Sequence, residues 1–454
     1  MCALMFTEGE IYMGNKIIVA GAGHGGIAAG MLLAKNGFDV TVYEKNSREN
    51  MGYDWTDIFD KKGFSAIGLD LPDESLYKLK HDMTFYGPSF ATALHQNTPI
   101  DELEIQMERR DIYNYIISAA EESGVKFVFN CEVKNAVLFG NRIVGIETAD
   151  GTVYADLVID ACGMNSPVRK SLPASLGIQN ESIEYEQFYV YRAFFNKTAE
   201  VDEVDMFKVI MLYEGKLGIN WIATEENHTD VLIGRFLKFD MEEAERTIES
   251  LRKSNPSIGT EIVRGGEFVN IPVRQPLGVL VADGYAAIGD SAFMTVPIIG
   301  SGIANSFKAA KILADAVIAD KEKAFSAESL WKYQTEFYSK IGSALAPLAS
   351  VKLMLTRLEG NELDYIFDNG ILNADDMTIG ADSTSITAIL SGMSPADIKI
   401  KLNGLIHNKD VLAKVVRMGL ELVKATAVTA AMPKEYNRKK VLSWVKTYNA
   451  CFKH

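Results

Sequence analysis

The sequence predicts an α/β fold: a discontinuous Rossmann-like domain, an inserted mixed/antiparallel β-sheet domain and a helical C-terminal region. Three observations carry this. Residues 16 to 45, "KIIVAGAGHGGIAAGMLLAKNGFDVTVYEK", read as strand, glycine turn, helix and second strand. Aromatic and β-branched strands fill the stretch from about 170 to 275. A buried strand at "GYAAIGDSAF" is followed from Gly300 by an apolar-periodic helix to about Ile318, which returns the chain to its first domain.

In order, residues 1–15 are a lead-in, 16–170 the first part of the nucleotide domain, 171–277 a sheet domain, 278–325 the return segment and 326–454 the helical region. A helical pattern is predicted from Asp101 to Gly124, ending at "ESG". Short strands follow at "VKFVFN", "EVKNAVLF", "RIVGIETAD" and "TVYADLVIDA", separated by "GNR" and "DG" turns. In the sheet domain the strands are "QFYVYRAFF", "FKVIMLY", "GINWIAT" and "DVLIGRF", with one helix from Met241 to Lys253. Past Ser326 the pattern is helical, broken at "NGILNADDM" and "MSPAD".

A chain of 454 residues suggests more than one lobe, and 48% apolar with 23% charged residues is ordinary for a globular protein. The net charge of −14, from 46 basic and 60 acidic residues, argues against nucleic acid as a partner. Cys2, Cys131, Cys162 and Cys451 are scattered with no CxxC, which fits a reducing, cytoplasmic setting. The histidines have no metal-type spacing, so no metal is expected. No leader peptide is read at the N-terminus and no transmembrane span anywhere; the window from Val411 to Met432 is broken by Lys414, Arg417, Glu421 and Lys424. Peripheral contact with a membrane stays open.

Gly21, Gly23 and Gly26 form GxGxxG between strand and helix, with Ala22 and Gly25 inside it. The first glycine makes the turn, the second lets backbone approach a pyrophosphate, and the third lets helix and strand pack closely. Glu44, followed by Lys45, ends the next strand, where a carboxylate accepts hydrogen bonds from a ribose. His24 reads as a tolerated position within the motif. The second signal is Gly289-Asp290 after the return strand and Gly300-Ser301-Gly302 before the last helix of the domain. Contacts at two ends of a long cofactor point to FAD. Asp290 is placed for the ribityl or pyrophosphate region, and the amides of Gly302 and Ile303 for negative charge on a reduced flavin ring. No second GxGxxG follows a strand, so the electron donor is either a transient NAD(P)H or a small ferredoxin-type carrier.

On these residues the chain resembles FAD enzymes of the p-hydroxybenzoate hydroxylase fold and, within them, the geranylgeranyl reductases. "VIDACGMNSPVRKSLP", which holds Gly163, stands where that family has V-x-x-A-T-G-x-S-R-x-x-R. Pro272 to Leu277 matches its P-x-R-R-P-L, and Gly289 to Gly302, with Pro297, matches its GDS-x-F-x-x-x-P-x-x-G-x-G. The resemblance implies a flavin role for Arg110, with Arg109 its adjacent rival, and for the backbone of Val133 beside the adenine. It also implies a substrate pocket at two departures. "INWIAT" keeps Trp221 of the family's Tyr-x-Trp-x-Phe-Pro but lacks its other aromatic residues and proline. Trp55-Thr56 of "GYDWTD" falls where some relatives have Cys-Gly, which puts Trp55 and Tyr53 beside the flavin. Both departures argue against a long prenyl chain as substrate.

The activity so implied is an FAD-dependent reductase that delivers hydride from flavin N5 to a C=C bond of an apolar substrate. Tyr53, Asp54 and Asp57 are the candidate proton donors, and spacing alone does not choose between them. A flavin monooxygenase of an aromatic or polycyclic substrate is the second reading. A non-catalytic flavin redox sensor or electron carrier that docks a partner through its helical C-terminal region is the third, and an electron-transfer protein is a candidate partner. Cys162 reads as a small buried hydrophobe rather than a redox thiol.

Overall fold

The structure is a computed structural model that describes residues 14–179, 185–378 and 394–452. The lead-in up to residue 13, with Cys2, and also Met393 of the "MSPAD" break and His454, lie outside them. The first sheet has six strands in the order Val281–Ala282, Tyr285–Ala287, Leu157–Asp160, Lys16–Ala20, Asp39–Tyr43 and Lys126–Val128. Its neighbours pair in parallel apart from the terminal hairpin of Val281–Ala282 with Tyr285–Ala287. Lys16–Ala20 and Leu157–Asp160 are apolar along nearly their whole length because both faces are covered, with helix His24–Ala34 packed on Lys16–Ala20 and strand Arg142–Thr148 against Leu157–Asp160. The return strand, 125 residues beyond Asp160, closes the sheet, so the domain is discontinuous as the sequence predicts.

An antiparallel meander, Val133–Phe139, Arg142–Thr148 and Gly151–Tyr154, follows from the "GNR" and "DG" turns. The larger sheet has seven strands in the order Ile258–Pro272, Gln187–Lys197, His228–Arg235, Gly218–Thr224, Phe207–Met211, Thr84–Tyr86 and Ala93–His95. Its last two strands come from the stretch placed within 16–170, so that sheet also draws on the chain before residue 171. The helix Met241–Ser254 covers one face through Ala244, Ile248 and Leu251.

The expected helix from Asp101 divides. Ile105–Glu108 is a strand between Thr56–Phe59 and Tyr77–Leu79, and the helix runs only over Arg109–Glu122. Cross-strand pairing wins there because Ile105 and Met107 are buried in that sheet.

The C-terminal helices clamp the return segment. Tyr333, Tyr338 and Tyr448 donate their hydroxyls to the carbonyls of Ala287, Leu277 and Pro276 at 2.9, 2.7 and 3.0 Å. Buried carbonyls outside a sheet ladder need such partners. No single helix among the described residues is long and apolar enough to cross a membrane.

Candidate active site

One cavity of about 820 Å³ lies where the two large sheets meet the glycine turn. It is lined by Gly21, Ala22, Gly23, Gly25, Gly26, Glu44, Lys45, Val133 and Gly163 on one side and by Asp290, Gly300, Gly302 and Ile303 on another. Tyr53, Trp55 and Trp221 line the same cavity. Motifs separated by hundreds of residues are thereby brought together.

The glycine turn is built for close approach. A Cβ on Gly26 would lie 2.5 Å from the Ala161 Cβ and 2.8 Å from Val19 Cγ1, so only glycine lets helix His24–Ala34 sit on its strand. Gly21 has φ of +81°, a left-handed conformation that glycine adopts without strain. Glu44 accepts hydrogen bonds from the amides of Ala22 and Asn46, both at 2.9 Å, which fixes the turn and leaves carboxylate lone pairs for a further donor.

Helices His24–Ala34 and Ile303–Ala319 both start at a glycine, and neither N-terminus is capped by a side chain. The free amides of a helix start are an anion site. Asp290 accepts from Thr295 Oγ1 at 2.9 Å. Its solvent exposure is to the cavity, and the dense protein around it raises its pKa despite the opposing effects of Thr295 and Arg109. Behind this loop, buried Arg169 donates to the Ser291 carbonyl at 2.5 Å, and Asp160 accepts from Ser166 and Tyr285 at 2.6 and 2.9 Å. These donors, acceptors and uncapped helix starts suit FAD, whose pyrophosphate and ribose need both kinds of partner.

Two implied positions differ. Arg110 is exposed and absent from the cavity wall; Arg109 lines it instead. Helix residues one apart point about 100° from each other, so only one of the pair can face inward. Pro297 is buried beside the loop without lining the cavity.

Arg109 binds Asp57 through two hydrogen bonds of 2.6 Å, and its guanidinium lies 4.9 Å from the Tyr53 ring centre. Burial works to raise the Asp57 pKa, but the charge and hydrogen bonds of Arg109, with help from His24 and Arg192, outweigh it and keep Asp57 ionised. Asp54 is half-exposed and pairs with Arg264 outside the cavity. Burial raises the Tyr53 phenol pKa, so Tyr53 keeps its proton. His24 lines the cavity, stacks on Tyr113 at 4.3 Å, and has its pKa lowered to about 3, first by burial and then by Arg109. Burial also pushes the Cys162 thiol up, so it stays protonated.

Beyond Tyr53 the wall is apolar: Trp55, Leu232 and Val269, with Trp221 and Ile271 packed on them. Buried Arg192 had no sequence signal. It pairs with Asp230 at 2.9 and 2.7 Å, donates to the Thr56 carbonyl at 2.9 Å, and stands 5.1 and 5.5 Å from the Trp55 and Trp221 ring centres. A cation over an indole face is attractive, so Arg192 holds both tryptophans to the sheet.

The chain is 23% identical over 416 residues, 86% of its length and 90% of the relative's, to digeranylgeranylglycerophospholipid reductase of Sulfolobus acidocaldarius. The structure resembles a geranylgeranyl bacteriochlorophyll reductase-like protein of Thermoplasma acidophilum, with a TM-score of 0.70 and 18% identity over 86% of this chain and 98% of that one. It also resembles p-nitrophenol 4-monooxygenase of Pseudomonas putida, with a TM-score of 0.62 and 16% identity over 85% and 98%. The FAD binding domain family matches residues 15–336, and the chain belongs to that family.

Proposed function

We propose that the protein is an FAD-dependent reductase that saturates a C=C bond of an apolar substrate. The observation that carries this reading is the continuity of one cavity from two uncapped helix starts and the glycine turn to an apolar chamber walled by Trp55, Trp221, Leu232 and Val269. FAD, when bound, supplies hydride chemistry at N5 of its flavin ring.

The chain's residues do the rest. Gly21, Ala22, Gly23, Gly25 and Gly26 receive the pyrophosphate region with the start of their helix, and Glu44 and Lys45 the ribose side. Val133 would meet the adenine. Gly163, Asp290, Gly300, Gly302 and Ile303 would hold the flavin end, where the second helix start favours negative charge. Arg109, not Arg110, supplies the cation there. Trp55 and Trp221 exclude water and orient the alkene. Tyr53, protonated and facing the cavity, is the proton donor, because Asp57 is held as a carboxylate and Asp54 lies outside.

The names of the relatives support reduction of isoprenoid-type double bonds. The absence of a second glycine fingerprint in the sequence fits electrons from a visiting NAD(P)H or a ferredoxin-type carrier, and the scattered cysteines fit a cytoplasmic setting.

The test is anaerobic. Protein loaded with FAD and reduced with dithionite is mixed with unsaturated isoprenoids or polycyclic enones, and the oxidised flavin absorbance is followed. Reoxidation with formation of the saturated product supports the reading. Oxygen-dependent NAD(P)H consumption with an oxygen atom gained by the product replaces it with hydroxylation.

A further inference from the structure

The cavity does not end at the tryptophans. Its wall also includes Lys80, Met83, Phe85, Gln96, Glu104, Asp376 and Met377. Strand Ile105–Glu108 relates the two ends: the Arg109 amide donates to the Trp55 carbonyl at 2.9 Å, and the Lys80 amide donates to the Glu104 carbonyl at 2.9 Å. From Glu104 to Arg109 is five residues, roughly 17 Å of extended chain at 3.4 Å per residue. The polar group at Lys80 is thus separated from the flavin end by the apolar stretch of Phe85, Trp221, Leu232 and Trp55.

The chemistry at this far end is mixed and balanced. Lys80 is nine-tenths buried, and its ammonium meets Glu104 at a long 3.3 Å, so it has N–H donors to spare. Gln96 is buried and fixed by the Met83 amide at 3.0 Å and the Met377 carbonyl at 2.5 Å, which leaves one amide proton. Asp376 is tied through Oδ2 to Lys401 and to the Asn373 amide. The two lysines cancel the two carboxylates, so an added phosphate or carboxylate would bring an uncompensated charge into a half-closed site. A hydroxyl both donates and accepts, and adds no charge.

We infer that Lys80, Glu104, Gln96 and Asp376 form a head-group site for the alcohol end of an amphiphilic substrate, whose unsaturated tail reaches past Trp221 and Trp55 to the flavin. The inference rests on the reductase reading for the direction of the tail. No part of it follows from the nucleotide-binding motifs.

Binding to the oxidised, FAD-loaded protein is read from the shift of the flavin absorbance bands, which needs no turnover, with farnesol, farnesoic acid and farnesene as probes. Farnesol binds roughly tenfold more tightly than farnesene, the difference a hydrogen bond to a charged group makes. Farnesoic acid binds less tightly than farnesol. Lys80→Met removes the advantage of farnesol, and Glu104→Gln, which leaves Lys80 unopposed, shifts the preference to farnesoic acid. That inversion is a response no purely structural role would give, and it remains readable if Lys80→Met fails to fold. Equal binding of farnesol and farnesene, or a wild-type preference for farnesoic acid, overturns the head-group site. An alcohol preference without reoxidation of reduced flavin by any alkene leaves the site standing and removes the reductase reading instead.

Discussion

Arg192 stands 5.1 Å from the centre of the Trp55 ring while its Nη1 holds the carbonyl of the next residue, Thr56, at 2.9 Å. A side chain of the larger sheet therefore fixes the ring of one wall residue and the backbone of the next, both of which arrive from the nucleotide domain. Its charge is balanced by Asp230, and both side chains are almost fully buried.

Breaking that pair from one side strands a charge. Asp230→Ala is expected to cost about 3–5 kcal/mol in urea unfolding, because Arg192 loses its counter-ion in a buried site. The double variant Arg192→Met with Asp230→Leu recovers most of this loss, since no charge remains to be stranded. A double variant as unstable as the single one would show that packing, not charge, dominates there.

Flavin content tests the glycine turn. Gly26→Ala would put a methyl group 2.5 Å from Ala161 Cβ, so the variant is expected to purify with far less FAD per chain, read from the visible-to-ultraviolet absorbance ratio. Gly419→Ala is the control, because nothing lies within 4 Å of its Cβ position in helix Lys409–Ala430. That change is expected to keep FAD and to stabilise the protein by about 0.5–1 kcal/mol.

Trp55→Ala removes a buried indole and is expected to cost about 3–5 kcal/mol of stability while leaving FAD content unchanged. Substrates with wider tails gain relative to narrow ones in kcat/KM. A parallel fall in FAD content would assign the indole to the cofactor's wall instead.

His24 gives a pH test. Its folded-state pKa, about 3, lies below the 6.5 of an unperturbed histidine, so the unfolded chain takes up the proton first. Its contribution is therefore neutral above about pH 6.5, and stability falls as pH drops from there towards 3, by at most about 1.4 kcal/mol per pH unit. In urea titrations from pH 7 to 4.5, His24→Asn is expected to show a shallower decline than the wild type. Identical slopes would mean that His24 is solvated.

The local motifs were legible because their chemistry is contained in a few consecutive residues. Gly21 to Gly26, Glu44, Asp290 and Gly300 to Ile303 all line one cavity. Arg109 rather than Arg110 lines the cavity because the start of their helix is set by the strand before it, which an apolar helical pattern obscured. Arg192, Asp230 and Lys80 had no signal. Arg192 meets Asp230 across neighbouring strands, and Lys80 meets Glu104 through the small sheet, pairings that depend on register rather than on any motif.

Residues 55 to 57 are fastened from two directions: the Trp55 carbonyl and the Asp57 carboxylate to Arg109, and the Thr56 carbonyl to Arg192. One short segment would thus be a party wall between bound cofactor and chamber. Whatever free energy a chamber ligand contributes by tightening that wall on the flavin side, the flavin must return to the ligand in equal measure. A filled chamber would slow the loss of FAD, and affinity for either molecule has meaning only when the occupancy of the other is stated.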